Sequence, residues 1–171
     1  MIPEELSITN IEDVYNKLSP HIIQTPLIEG WSIINEILNT RAFFKLEFLQ
    51  NAGTFKARGA LNNVLNLSQD QINSGITAVS AGNHAIAASY VSNKFNIKNK
   101  IFIYDSANKF RINQCKSFNA NLIFTDPHNA FKQVQKTSED EGYSFIHPFD
   151  GKYTLQGTAS LGFEICKQIK K

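Results

Sequence analysis

Residues 51–60 have the sequence NAGTFKARGA, which sets one lysine, Lys56, just behind a glycine turn at Gly53. Thr54 is a favourable N-cap residue, so the pattern predicts that a helix begins there and that Lys56 lies in its first turn. A polar stretch over residues 66–75 predicts that the helix has ended by then. The residues with helical apolar spacing are Leu61, Val64 and Leu65.

A lysine in this position is a candidate nucleophile. Unpaired N–H groups and the positive end of the helix dipole disfavour a nearby ammonium, and Arg58 adds a like charge. Both effects are expected to lower the pKa of Lys56 toward the neutral amine that Schiff-base chemistry requires. Most lysines are solvated surface residues, and on the local pattern alone this alternative stays open for Lys56.

A second segment has the order strand, glycine turn and helix. Residues 76–80 are short, apolar and rich in β-branched types, and an alanine-rich run from residue 85 to about residue 95 predicts a helix. Gly82 lets a ligand approach the main chain, and the free N–H groups that follow form a site for a carboxylate or phosphate. Asn83 offers an uncharged amide to a ring oxygen. The alternative is that Asn83 only caps the helix and that His84 is exposed beside it.

Strands and helices alternate through the remainder of the chain. Strands are predicted near residues 100–104, 121–125 and 143–147, with helices over residues 109–118 and 128–141 between them. This order predicts an α/β fold, in which helices cover both faces of a parallel sheet through right-handed crossovers.

Three elements are predicted before the lysine motif. Thr9 and Glu12 form a capping-box pattern at the start of a first helix, which ends before Pro20. A second helix is predicted over residues 32–38 and a strand over residues 41–48.

Composition narrows the classes of function. The chain has 171 residues, 42% of them hydrophobic, which is enough to bury a core, and 17 basic against 15 acidic residues. This balance argues against a nucleic-acid partner, and no apolar stretch is long enough to span a membrane. Glu4 and Glu5 make the N-terminus unlike a signal peptide. Cys115 and Cys166 are expected to be free thiols in the reducing cytoplasm, and with four scattered histidines they give no metal signature.

Together, the motifs resemble the fold-type II pyridoxal-phosphate (PLP) enzymes, which are tryptophan synthase β-like, and within them the branch of threonine/serine dehydratases and serine racemases. The matching segments follow the family's order and spacing from about residue 20 onward. They are residues 25–27 (TPL), 45–50 (KLEFLQ), 53–60 (GTFKARGA), 80–85 (SAGNHA), 147–150 (HPFD), 156–158 (QGT) and Glu164.

The resemblance implies PLP as the cofactor and assigns roles to five residues. Lys56 would bind the cofactor covalently and then remove the Cα proton of the substrate. Phe55 would pack near the pyridine ring, and Asn83 would bond the 3-hydroxyl oxygen. Ser80, Asn83 and His84, with main-chain N–H groups of the turn, would bind the substrate carboxylate.

Two alanines place the resemblance nearer to the dehydratases. Cysteine-synthase and threonine-synthase relatives usually have an aspartate where this chain has Ala57, and racemases carry a proton-transferring serine where it has Ala81. The implied reaction is β-elimination from a hydroxy amino acid, threonine or serine, to give a 2-oxo acid and ammonia. Racemase-type activity, or a non-catalytic amino-acid-binding or regulatory remnant, stays open.

The resemblance also implies a domain organisation. We expect a three-layer parallel sheet with a complete small domain over residues 75–149 and an incomplete large domain over residues 1–67 and 150–171. In the family, a glycine-rich loop that holds the cofactor phosphate comes later than Lys171, where this chain stops. We therefore expect weak or absent cofactor binding and little activity from these residues alone. A homo-oligomer or a separately encoded C-terminal half is the expected protein partner.

Overall fold

The computed structural model describes residues 3–169 and contains eight α-helices and six β-strands in that range. The helices are α1 (Ile8–Leu18), α2 (Ser32–Leu38), α3 (Lys56–Val64), α4 (Gln69–Ser74), α5 (Asn83–Lys94), α6 (Lys109–Ser117), α7 (Pro127–Glu141) and α8 (Lys152–Gln168). The strands are β1 (Leu27–Glu29), β2 (Phe43–Lys45), β3 (Ile76–Val79), β4 (Asn99–Tyr104), β5 (Leu122–Thr125) and β6 (Ser144–Phe145). No helix among these is both long and apolar enough to cross a membrane.

The main sheet has four parallel strands in the order β5-β4-β3-β6. Ile76 of β3 lies opposite Asn99 of β4 on one side and Ser144 of β6 on the other, and every residue of β3 is buried. The predicted α/β class with a parallel sheet is therefore confirmed. All four strands lie within the predicted small domain, although the division into domains stays a prediction.

A second sheet consists only of the short antiparallel pair β1-β2. The strand predicted over residues 41–48 is shorter than expected, because the chain leaves it after Lys45 for two 3₁₀ turns, Glu47–Leu49 and Asn51–Gly53. Ala52 in the second turn has a φ of 62°, a left-handed conformation that interrupts regular structure. These turns deliver the chain to the start of α3.

Two helix starts differ from the prediction. Ser7, not Thr9, caps α1, and its hydroxyl accepts the N–H of Asn10 at 3.4 Å. The polar stretch over residues 66–75 contains α4, which begins with a capping box between Ser68 and Gln71. The reciprocal bonds of this box stabilise a helix that has no buried residue of its own.

Helix α3 crosses α8 at very short range. A Cβ atom on Gly157 of α8 would lie 2.5 Å from the carbonyl oxygen of Arg58, and one on Gly59 of α3 would lie 3.1 Å from the carbonyl oxygen of Thr154. Two glycines at the crossing therefore let the backbones approach. Since Lys56 begins α3, this packing also fixes where the lysine sits.

Candidate active site

Lys56 is the first residue of α3, and the residues before it form the helix start. Phe55, with φ −60° and ψ −21°, occupies the N-cap position, one residue later than predicted. Thr54 is extended, and its hydroxyl still accepts the N–H of Lys56 at 3.2 Å. The threonine thus satisfies one of the free donors of the first turn, as a capping residue does.

The amine of Lys56 lies against a carbonyl oxygen of the loop that follows β6. Its Nζ donates a hydrogen bond to the carbonyl of Pro148 at 2.7 Å and lies 5.2 Å from the ring centroid of Phe55. Burial lowers the pKa of Lys56, because a half-buried ammonium loses part of its hydration. The direction matches the prediction, but the cause is desolvation.

The predicted role of Arg58 in that shift is wrong. Its side chain is fully buried and bonds two carboxylates, Glu47 Oε1 at 2.8 Å and Glu164 Oε1 at 3.0 Å. Lys45 contacts the same Glu164. Two cations and two carboxylates therefore balance, and Arg58 of α3 joins Glu164 of α8 to Glu47 in the 3₁₀ turn Glu47–Leu49.

The second motif forms a turn with unpaired donors. Ser80 follows β3, and its Oγ accepts the N–H of Gly82 at 2.9 Å. Asn83 and His84 are the first two residues of α5, and in the described part of the chain their main-chain N–H groups donate to no carbonyl. Such a helix start attracts a carboxylate or phosphate.

His84 is not exposed beside this turn, so that alternative is wrong. Its side chain is buried, and Nε2 lies 2.9 Å from the carbonyl oxygen of Ile146, to which it donates. Burial is the main cause that lowers its pKa to about 4, and the nearby Lys56 and His147 lower it further. The ring is therefore neutral at neutral pH and faces the interior, which leaves the main-chain N–H as the group that His84 offers at the turn.

Pro148 connects the two motifs. Besides accepting the hydrogen bond from Lys56, it lines a cavity of about 380 Å³ together with Ser80, Ala81 and Gly82. Asn83 lines a second cavity of about 290 Å³. Arg111 of α6 lines both cavities, and nothing in the sequence had indicated it.

This combination defines a class. A desolvated lysine at a helix start is linked through Pro148 to a cavity lined by a serine–alanine–glycine turn at the end of a parallel strand, which agrees with the resemblance to fold-type II PLP enzymes. The chain belongs to the family described as "Pyridoxal-phosphate dependent enzyme", whose model matches residues 18–171. The predicted family and cofactor are thereby confirmed.

Individual relatives agree with this assignment. The chain is 42% identical over 153 residues to the phenylserine dehydratase of Ralstonia pickettii, covering 89% of this chain and 47% of that protein. It is 30% identical over 166 residues to the catabolic L-threonine dehydratase of Staphylococcus aureus, covering 96% and 48%. Among solved structures, maize serine racemase superposes with a TM-score of 0.89 at 28% identity, covering 95% of this chain and 50% of that one. The chain thus spans about half the length of the relatives it matches.

The residues present fit one side of the cofactor. PLP carries an aldehyde, an aromatic ring and a ring oxygen, for which the chain offers the Lys56 amine, the Phe55 ring and the Asn83 amide. The main-chain donors at the start of α5 suit the carboxylate of an amino acid. Which atoms each side chain contacts in the loaded protein stays a prediction.

Proposed function

We propose that this chain supplies the lysine-bearing part of a PLP-dependent ammonia-lyase that removes the β-hydroxyl group of a hydroxy amino acid and yields a 2-oxo acid and ammonia. The observation that carries the proposal is that one desolvated amine, Lys56, is combined with a turn that offers amide and hydroxyl donors but has alanine, Ala81, at the position of the racemases' proton-transferring serine. The dehydratases of R. pickettii and S. aureus, among its relatives, support the same reaction class.

Lys56 has two tasks in this proposal. When bound, PLP supplies an electron sink for the pair left by the departing Cα proton. Lys56 attaches it covalently and then, once released, accepts that proton, and burial favours the neutral amine that both tasks need. Phe55 packs beside the ring.

The turn binds the amino acid. The hydroxyl of Ser80 accepts from Gly82 and keeps its own O–H to donate, and the N–H groups of Asn83 and His84 add two donors for the carboxylate. His84 contributes through its main chain because its ring bonds Ile146. Asn83 offers its side-chain amide to the ring oxygen.

Ala81 separates this proposal from racemization. Maize serine racemase shares the fold, so inversion at Cα is the second candidate. Inversion needs a proton donor on the face opposite the lysine, and Ala81, which lines the cavity, has no transferable proton. Elimination needs one base at Cα, which Lys56 supplies, and a proton for the departing hydroxyl group, which leaves as water; it needs no proton donor on the opposite face of Cα.

The active protein is expected to need the half of the fold that this segment does not cover, whether from the same chain, a second copy or a separately encoded chain. A cytoplasmic location fits the free thiols of Cys115 and Cys166.

The test fuses this chain to the C-terminal half of the R. pickettii dehydratase and supplies L-threonine, L-serine or phenylserine with PLP. We expect a 2-oxo acid from the fusion and none from its Lys56→Ala variant. Ala81→Ser in the same fusion is expected to add inversion of serine, read from the chirality of recovered substrate. Inversion without 2-oxo acid in the unmodified fusion would favour the racemase, and PLP binding without either product would favour a non-catalytic remnant.

A further inference from the structure

Arg111 lies over the turn between β3 and α5. It stands in the first turn of α6, is half-buried, and donates from Nη1 to Oδ1 of Asn83 at 2.9 Å, across 28 residues of sequence. A Cβ atom on Gly82 would lie 2.6 Å from the same Nη1. The guanidinium of Arg111 therefore occupies the space beside Gly82 that a side chain at this position would need.

The contact fixes which end of the Asn83 amide faces Arg111. A carboxamide can turn by half a rotation and exchange its oxygen and nitrogen, but a guanidinium only donates, so it selects the oxygen. The Asn83 side chain has no other hydrogen bond to any residue between 3 and 169. Its Nδ2, with two N–H donors, must then point away from Arg111.

Arg111 also differs from the other two arginines of the chain. Arg41 and Arg58 pair with carboxylates, whereas within residues 3–169 no carboxylate lies within salt-bridge distance of Arg111. Its full positive charge therefore acts on a neutral amide. Donation to the oxygen of an amide polarises it and makes its N–H groups stronger donors.

We propose that Arg111 is a positioning residue that directs the N–H of Asn83 toward an acceptor oxygen on a ligand ring. The proposal rests on the proposed function, in which that oxygen is the 3-oxygen of PLP. A deprotonated ring oxygen accepts hydrogen bonds, so only the nitrogen end of Asn83 serves it. Arg111 makes that end the one available.

The first test needs no cofactor. In the nuclear magnetic resonance spectrum of the chain, the side-chain amide signals of Asn83 are identified by their loss in Asn83→Ala. Arg111→Met is expected to shift these signals and to speed the exchange of their protons with water. Two control variants should leave the signals near their wild-type values: Arg111→Lys, which keeps a donor, and Arg41→Met, which removes a remote arginine. Unchanged signals in Arg111→Met would overturn the proposal.

The second test uses the fusion with the C-terminal half of the R. pickettii dehydratase and compares its affinity for PLP with that for 3-deoxypyridoxal 5′-phosphate, which lacks the ring oxygen. Arg111→Met is expected to lower the affinity for PLP about five- to tenfold, which is the effect of one hydrogen bond. It is expected to change the affinity for the analogue by less than about twofold. Arg111→Lys is expected to restore most of the PLP affinity. Equal losses for both ligands would show a merely structural role, and no loss for either would also refute the positioning role.

The two tests separate the proposals. If the unmodified fusion with the C-terminal half of the R. pickettii dehydratase attaches no PLP to Lys56, the proposed function fails, and the amide signals of Asn83 alone decide whether Arg111 orients it. If PLP is attached and the signals do not respond to Arg111→Met, the proposed function stands and the positioning role fails.

Discussion

Substitution of Gly157 by alanine tests the helix crossing that positions Lys56. The new methyl group would lie 2.5 Å from the carbonyl oxygen of Arg58, 2.8 Å from Cα of Gly59 and 2.8 Å from Cβ of Asn62. Two of these three atoms are backbone, so no side chain can rotate away to make room. Helix α3 must move off α8, and the start of α3, which carries Lys56, moves with it.

The size of the effect follows from two opposing terms. Overpacking of a well-packed site costs about 1–3 kcal/mol, and backbone neighbours favour the upper end of that range. Alanine in place of glycine inside a helix stabilises the folded state by about 1 kcal/mol, because alanine has the higher helix propensity. We expect Gly157→Ala to lower the free energy of unfolding by about 2 kcal/mol, which is about 1 M in the urea midpoint for a typical denaturant dependence.

The same helix provides the control. Gly162 also lies in α8, but a Cβ atom there would meet nothing within 4 Å. Gly162→Ala gains the propensity term without the clash, so it is expected to raise the free energy of unfolding by up to about 1 kcal/mol. Urea unfolding followed by circular dichroism measures both variants. If Gly157→Ala were as stable as Gly162→Ala, the α3–α8 crossing described here would be incorrect.

Two further predictions concern buried ionisable groups. The pKa of His84 is about 4 in the folded protein against 6.5 unfolded, so the unfolded state binds the proton first, and stability falls by about 1.4 kcal/mol per pH unit as pH drops from 6.5 toward 4. Urea unfolding at several pH values measures this slope of the free energy of unfolding against pH. The slope should disappear in His84→Gln and remain in His128→Gln, which replaces an exposed histidine. Glu164→Gln removes one of the two carboxylates that pair with Arg58 and should lower the free energy of unfolding by about 3–5 kcal/mol. Removal of the exposed partner in Glu29→Gln should leave the urea midpoint unchanged; equal midpoints for the two glutamate variants would contradict the buried network.

Local patterns were enough to predict the sheet and one side of the site. The β-branched run at residues 76–80 and the alanine-rich run after it indicate β3 and α5, because periodicity and turn chemistry are properties of neighbouring residues. The helix over Ser32–Leu38 was predicted with its observed bounds for the same reason. Thr9 failed as a cap because Ser7, two residues earlier, competes for the same role.

Long-range contacts account for what the sequence could not show. Arg58 looked like a free charge beside Lys56, but Glu164, 106 residues later, neutralises it. Arg111 reaches Asn83 from a helix with no apolar stripe to predict its orientation, and His84 turns inward because β6 brings the carbonyl of Ile146 beneath it. In each case, the partner that decides the role lies in another element of the fold.

The most direct test of the central claim is the location of the lysine that reacts with PLP. The fusion of this chain with the C-terminal half of the R. pickettii dehydratase is incubated with PLP, reduced with borohydride, digested and mapped by mass spectrometry. The account predicts that the label concentrates on Lys56, since its desolvated amine contacts Pro148, which lines a cavity with Ser80, Ala81 and Gly82, and that this label disappears in Lys56→Ala. A label spread over exposed lysines without enrichment at Lys56, or concentrated on any other lysine, would contradict it.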